Sequence, residues 1–216
     1  HMLDDNYLKE AKKLICKRVT GKAHPVVPSW WQDILTILDY KGKSLTSCTT
    51  LDQVATFYCD EFAGVDRALR NLYAQFLNEK EIIQPLQEYY EGLNYELLQH
   101  WYDHSNEYRS DQPAYLPNLF QDAQPGIAVI VGDGIRNEMA DFVSSHIGSQ
   151  IKCEKRIMLA DVPSDTENNM SALYTEQNTI ISSQQERGTR LKEASHKDIT
   201  FMNLEELHPG IDAEYL

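Results

Sequence analysis

The sequence predicts an α/β fold, a parallel sheet with crossover helices, preceded by an all-α helical segment. Three observations carry this expectation. Apolar residues recur at helical spacing through roughly the first hundred positions. A short continuous apolar run, Ile127-Ala128-Val129-Ile130-Val131, then has the character of a strand buried on both faces. Beyond it, strand-like and helix-like stretches alternate, the order that a parallel sheet with right-handed crossovers produces.

Each element has its own justification. Tyr7, Leu8, Ala11, Leu14, Ile15 and Val19 form a helical stripe that Gly21 is expected to stop. Ser29 with Gln32 has capping-box spacing and opens a short helix with Trp30, Ile34, Leu35 and Leu38, closed near Gly42. Thr50 with Gln53 repeats the signal ahead of a long stripe from Val54 to Phe76. A second long helix carries Leu86, Tyr89, Tyr90, Leu93, Leu97 and Trp101. The few residues between them, near Asn78, suggest an antiparallel hairpin. Residues 1–104 are therefore the helical region. Residues 105–124, with Pro113 and Pro117 among Ser, Asn and Asp, read as a linker. Residues 125–216 read as the α/β region. The run 127–131 is its first strand, and Ile135, Met139, Phe142, Val143 and Ile147 mark a helix after the Gly132-Asp133-Gly134 turn. A β-rich stretch spans about 151–159, and a helix with Met170 and Leu173 follows Pro163-Ser164-Asp165-Thr166. A polar helix covers about 183–194, and Ile199-Thr200-Phe201-Met202 is a third strand candidate.

Composition narrows the function classes. The 216 residues include 33 acidic and 20 basic side chains, a formal charge of −13. Hydrophobic residues make up 42%, enough for a packed core and too many for a disordered chain. No apolar run approaches the roughly 20 residues that span a bilayer, so no membrane association is expected. The acidic balance argues against direct reading of duplex DNA. Cys16, Cys48, Cys59 and Cys153 show no C-x-x-C spacing and read as reduced thiols of a cytoplasmic protein. His1-Met2 is set aside as a cloning remnant.

Two turns carry reactive residue types where an open parallel sheet collects ligands, beyond the strands' carboxyl ends. In Gly132-Asp133-Gly134, an Asp after a strand suits a metal ligand, and the glycines allow close backbone approach. Asp133 could equally cap the next helix. The pair of glycines could be half of a dinucleotide fingerprint, though Asn137 stands where the third glycine belongs. In Pro163-Ser164-Asp165-Thr166, a hydroxyl at a helix start meets the positive helix end and free N–H groups, which favour phosphate. Ser164 with Glu167 also fits an ordinary capping box.

The two turns together resemble a known family. Val129-Ile130-Val131-Gly132-Asp133-Gly134-Ile135-Arg136-Asn137-Glu138 is similar to the opening strand and turn of PglZ domains, and the segment from Pro163 to Leu173 is similar to that family's Pro-Ser-x-Thr helix start. Asp66-Arg67-Ala68-Leu69-Arg70 and Tyr95-Glu96-Leu97-Leu98-Gln99-His100-Trp101 resemble the helical region that precedes the domain in phage-resistance proteins. The resemblance covers roughly residues 50–175. It implies an alkaline phosphatase-like fold, here incomplete. It implies that Asp133 is a ligand to a divalent metal, zinc in most relatives. It implies that Thr166 is the nucleophile lying against metal and that Asn169 hydrogen-bonds a phosphate oxygen. Arg136 is expected to brace the site or to pair with Glu138 or Asp161.

The chain also departs from the family. Gly132, Gly134 and Asn137 replace the more usual Ser, Ala and Tyr. No Asp-His-Gly turn follows Thr166, where only His196, His208, Asp198 and Asp212 remain. Two-metal hydrolysis needs several ligands to fix both ions. The expectation is therefore part of a longer phage-defence protein, a metal-dependent phosphatase or phosphodiesterase by family. This stretch is expected to be inactive by itself and to work with other defence proteins and a phosphate-containing substrate. The alternative is a catalytically silent module that docks partners through its helical region.

Overall fold

The computed structural model describes residues 5–22, 26–40, 44–122, 126–132, 134–148, 150–176 and 178–202. It corrects the fold class: among the described residues every regular element is helical and none is a strand. The helices are α1 (Asp5–Thr20), α2 (Trp30–Asp39), α3 (Leu51–Phe57), α4 (Ala63–Phe76), α5 (Lys80–Asp103), α6 (Tyr115–Asp122), α7 (Asn137–His146), α8 (Thr166–Tyr174) and α9 (Gln184–Ser195). The chain divides into two units, His1–Glu107 with Arg136–Glu154, and Tyr108–Ile135 with Lys155–Leu216. No described helix is long and apolar enough to cross a membrane.

The three strand candidates fail for one reason. A buried parallel strand needs neighbours that take its N–H and C=O groups and cover both faces. Residues 127–131 carry no ladder, and Ile130 is 84% exposed. Residues 151–159 and 199–202 are likewise irregular. Branched apolar residues gave these stretches strand character, but that preference yields a strand only with pairing partners.

In the first unit the apolar spacing does build the expected helices. Ile15 and Val19 of α1 pack on Leu35 of α2, with Trp31, Ile34 and Leu38 around them. Gly21 follows α1, and a Cβ there would sit 2.4 Å from the Lys17 carbonyl oxygen, so only glycine lets the chain leave the helix this way. The Ser29–Gln32 box does not form: Ser29 is itself helical and makes no side-chain cap. Thr50 does cap α3, its hydroxyl accepting from the Gln53 N–H at 3.3 Å. Helices α3 and α4 are joined by a π-helical turn, Tyr58–Phe62. Residues 77–79 turn the chain into α5, as the Asn78 signal suggests. The hairpin is antiparallel, since Tyr73 bonds Gln87 while Asp66, about two turns earlier in α4, bonds Tyr90 further along α5. Val65, Leu69, Leu72, Phe76 and Ile83 form one core cluster, and Val54, Phe57, Phe62 and Leu97 another. The aromatic stripe of residues 54–101 is thus mainly core.

The second unit is smaller. Residues 105–124, expected as a linker, contain the turn 105–107 and α6, whose Leu116 is buried against Leu191 and Ile199. Helices α6, α8 and α9 pack on one another, with Leu119, Phe120, Leu173 and Tyr174 at the edge of that cluster. Phe201 lies over Gly188, where a Cβ would meet its ring at 3.2 Å.

Candidate functional site

The described part of the expected site is the loop and helix start of residues 161–169, within the second unit. Asp165 is extended and caps α8, its Oδ1 accepting from the Asn168 N–H at 2.8 Å. The cap is therefore Asp165, one residue after the expected Ser164. A carboxylate at this position also favours the positive helix end. Thr166 is the first residue of α8 and is exposed. Its hydroxyl thus stands at the end of the helix where backbone N–H groups point outward.

Behind it the loop is braced by side chains. Asn169 Oδ1 accepts from the Asp161 N–H at 3.0 Å, and its Nδ2 donates to the Asp165 carbonyl at 2.9 Å. Both polar ends of Asn169 therefore hold the turn. The Asp165 carbonyl takes one of the two N–H donors of that amide, so a phosphate oxygen would have to use the other. Asn168 is buried and donates to the Pro163 carbonyl at 2.9 Å. The Asp161 N–H also donates to Gln112 Oε1 at 2.6 Å, and the Asp161 residue is only 3% exposed. Ser171, fully buried, donates to the Glu167 carbonyl and accepts from the Ile181 N–H at 2.9 Å. These bonds fix the helix start as a rigid platform for Thr166.

Asp133, the expected metal ligand, lies outside the described residues. Of its flanking glycines, Gly134 has φ +67°, where glycine is favoured. A Cβ on Gly132 would meet only the movable side chain of exposed Ile135. Glu138 pairs with Arg70 of α4, a different partner from the expected Arg136. His196 ends α9 in the left-handed conformation, its N–H on the Lys192 carbonyl, a capping role. His208 and Asp212 lie outside the described residues. Among the described residues no group of three or more His, Cys, Asp or Glu is placed to hold a metal ion. In the described loop the Asp165 carboxylate accepts the Asn168 N–H, and Asn169 is held on two backbone groups.

Sequence reasoning missed a polar cluster in the first unit. Tyr58 and Tyr90 both donate to Asp66, at 2.8 and 2.5 Å, and Arg70 lies 3.9 Å from the same carboxylate while pairing with Glu138. Burial, then the bond to Asp66, holds both phenols well above their ordinary pKa. The available signal was one Asp between two helix-facing tyrosines, but each tyrosine also reads as core. A cleft of about 400 Å³ lies beside the π-helical turn, lined by Ser44, Cys48, Asp52, Asp60 and Glu61 among others. Burial and the nearby Glu61 push the Cys48 thiol up, so it is not an activated nucleophile.

A scan of family models and searches of curated proteins and solved structures found no match to this chain.

Proposed function

We propose that the chain is part of a PglZ-type phage-defence protein, in which Thr166 faces a phosphate ester of the metal-dependent phosphohydrolase class. One observation supports this most: the Pro-Ser-x-Thr segment sets an exposed Thr166 on the first turn of a capped, braced helix. A hydroxyl beside outward N–H groups and a positive helix end suits a phosphoryl group. In this reading the stretch is silent by itself, because no Asp-His-Gly turn follows Thr166 in the sequence to complete the metal ligands. The test is calorimetric titration with inorganic phosphate, together with a zinc-supplemented assay on a nitrophenyl phosphodiester. Weak phosphate binding that Thr166→Ala reduces at least fivefold, without turnover, is the expected result. Phosphate binding unchanged in Thr166→Ala would overturn it.

A second reading is a silent module that docks other proteins of the same defence system. It draws on Tyr95, Leu98 and Tyr102, which recur at helical spacing along α5 apart from the stripe that packs in the core and are 53–75% exposed. Capture of such a partner that Leu98→Asp abolishes would favour it over the phosphate reading.

A further inference from the structure

The chain's acidic charge is unevenly distributed, and helix α1 is the exception. Residues 5–22 hold six basic and two acidic residues, a balance of +4, so the rest of the chain carries −17 against the total of −13. Two of the six cations have internal roles: Lys12 pairs with Asp39, and Arg18 lies over the Trp31 ring at 5.1 Å. Lys9, Lys13 and Lys17 do not. They recur every four residues along one side of α1, are exposed, and make no ion pair with a described residue. Lys17 also suits the negative end of the helix, but Lys9 and Lys13 are too far from that end to gain from it.

We propose that the Lys9–Lys13–Lys17 stripe binds the phosphate backbone of double-stranded nucleic acid without reading its sequence. The dimensions match. Eight residues of helix span about 12 Å, along which one duplex strand presents three to four phosphates, one per roughly 3.4 Å. Lysines act as point charges on flexible stems and suit such contacts. The remaining negative charge does not forbid approach, because surface charges beyond a Debye length of about 8 Å are screened at physiological salt. A lipid surface fits less well. The apolar face that a membrane-lying helix would insert is already used, with Ile15 and Val19 buried against α2. Only Tyr7 and Leu14 remain exposed on α1 as apolar groups. A protein interface would want an apolar centre, which the stripe lacks.

The test uses the whole chain and a fluorescein-labelled 20-base-pair duplex of arbitrary sequence, read by anisotropy from 50 to 200 mM salt. Three phosphate contacts predict a log–log salt slope of about −2.7, a loss of affinity of roughly forty-fold over that range. The variant Lys9→Gln/Lys13→Gln/Lys17→Gln should weaken binding at 50 mM salt at least tenfold. The charge-matched variant Lys80→Gln/Lys152→Gln/Lys197→Gln should leave it within twofold. A second duplex of unrelated sequence should bind equally. The proposal is overturned by no binding at 50 mM salt or by equal losses in the two variants. It is also overturned if the stripe lysines are needed instead for sedimentation with phosphatidylserine vesicles or for self-association in light scattering, with duplex affinity unaffected. Because no step involves Thr166, the variant Thr166→Ala should bind duplex as the parent does, which separates this outcome from that of the phosphate-ester reading.

Discussion

The two units hold themselves together by different means. The first is built on large apolar side chains: Phe62, Ile37, Leu45, Leu51 and Leu72 are buried to within 2% exposure, and rings pack edge-on, as Trp30 does on Phe76. The second buries few side chains of that size, chiefly Leu116, Leu191 and Ile199. It depends instead on polar side chains that take up backbone groups. Asp111 accepts from the Leu159 N–H at 2.8 Å, Gln112 and Asn169 share the Asp161 N–H, and Tyr108 donates to the Ala160 carbonyl. Where a strand would pair with a neighbour through its backbone, this segment is paired mainly by side chains, beside one backbone bond from the Asp111 N–H to the Leu159 carbonyl at 3.0 Å. A hydrophobic core tolerates loss of a polar contact, whereas a polar scaffold is sensitive to single amides and carboxylates.

Core truncation should therefore have its largest effect in the first unit. Phe62→Ala is expected to cost about 3–5 kcal/mol, whereas Leu191→Ala in the thinner core should cost about 2–3 kcal/mol. All three tryptophans, Trp30, Trp31 and Trp101, belong to the first unit. Urea denaturation followed by tryptophan fluorescence thus reports Phe62→Ala directly. A loss under 1.5 kcal/mol would show that this core is looser than its burial implies.

Next in size is the Asp66 cluster, the first unit's own polar scaffold. Asp66→Asn keeps the shape but removes a charged acceptor from two phenols and leaves Arg70 with Glu138 alone. A cost of about 1.5–3 kcal/mol is expected, in the range of hydrogen bonds to charged groups. The tyrosines also set a pH limit. Burial, aided by Glu61, pushes Tyr40 up to about 12, and Tyr58 and Tyr90 are raised as well. A phenol with a raised folded-state pKa stabilises the fold fully below its unfolded value near 10. That contribution is lost as pH rises through the folded value, because the unfolded chain releases its protons first. The melting temperature should fall between pH 10 and 12, and Tyr58→Phe with Tyr90→Phe should flatten that decline.

How much of this was legible in the sequence follows the same division. Helical spacing located α1 through α5, since long amphipathic stripes specify both an element and its buried face. It could not locate the polar cluster, because Tyr58 and Tyr90 meet Asp66 only after the hairpin closes. In the second half, composition misled. Ile127 to Val131 carries the residue types of a central strand, yet pairing is a property of neighbours that a single stretch does not encode. At the candidate site a helix start was legible from Pro163 and the Ser164–Glu167 spacing, although the residue that caps it is Asp165, one position later. The bracing role of Asn169 was not, because its partner Asp161 lies eight residues away and is reached through an irregular loop.

The finest comparison lies within the site itself, and amide hydrogen exchange across α8 can resolve it. Asn169→Ala removes two side-chain bonds to backbone groups, although the Asp161 N–H keeps Gln112. A loss of about 1–2 kcal/mol is expected. Asp165→Ala removes the cap and should cost about 1 kcal/mol, concentrated in protection of the first turn. Thr166→Ala and Ser164→Ala, both at exposed positions, should stay within about 0.5 kcal/mol. That ranking separates scaffold from chemistry. If Thr166 serves a phosphate ester, its removal should alter phosphate binding while leaving exchange unchanged, whereas Asn169→Ala should alter both. Should Thr166→Ala destabilise α8 as much as Asp165→Ala does, the hydroxyl belongs to the scaffold, and the case for its chemical role falls with it.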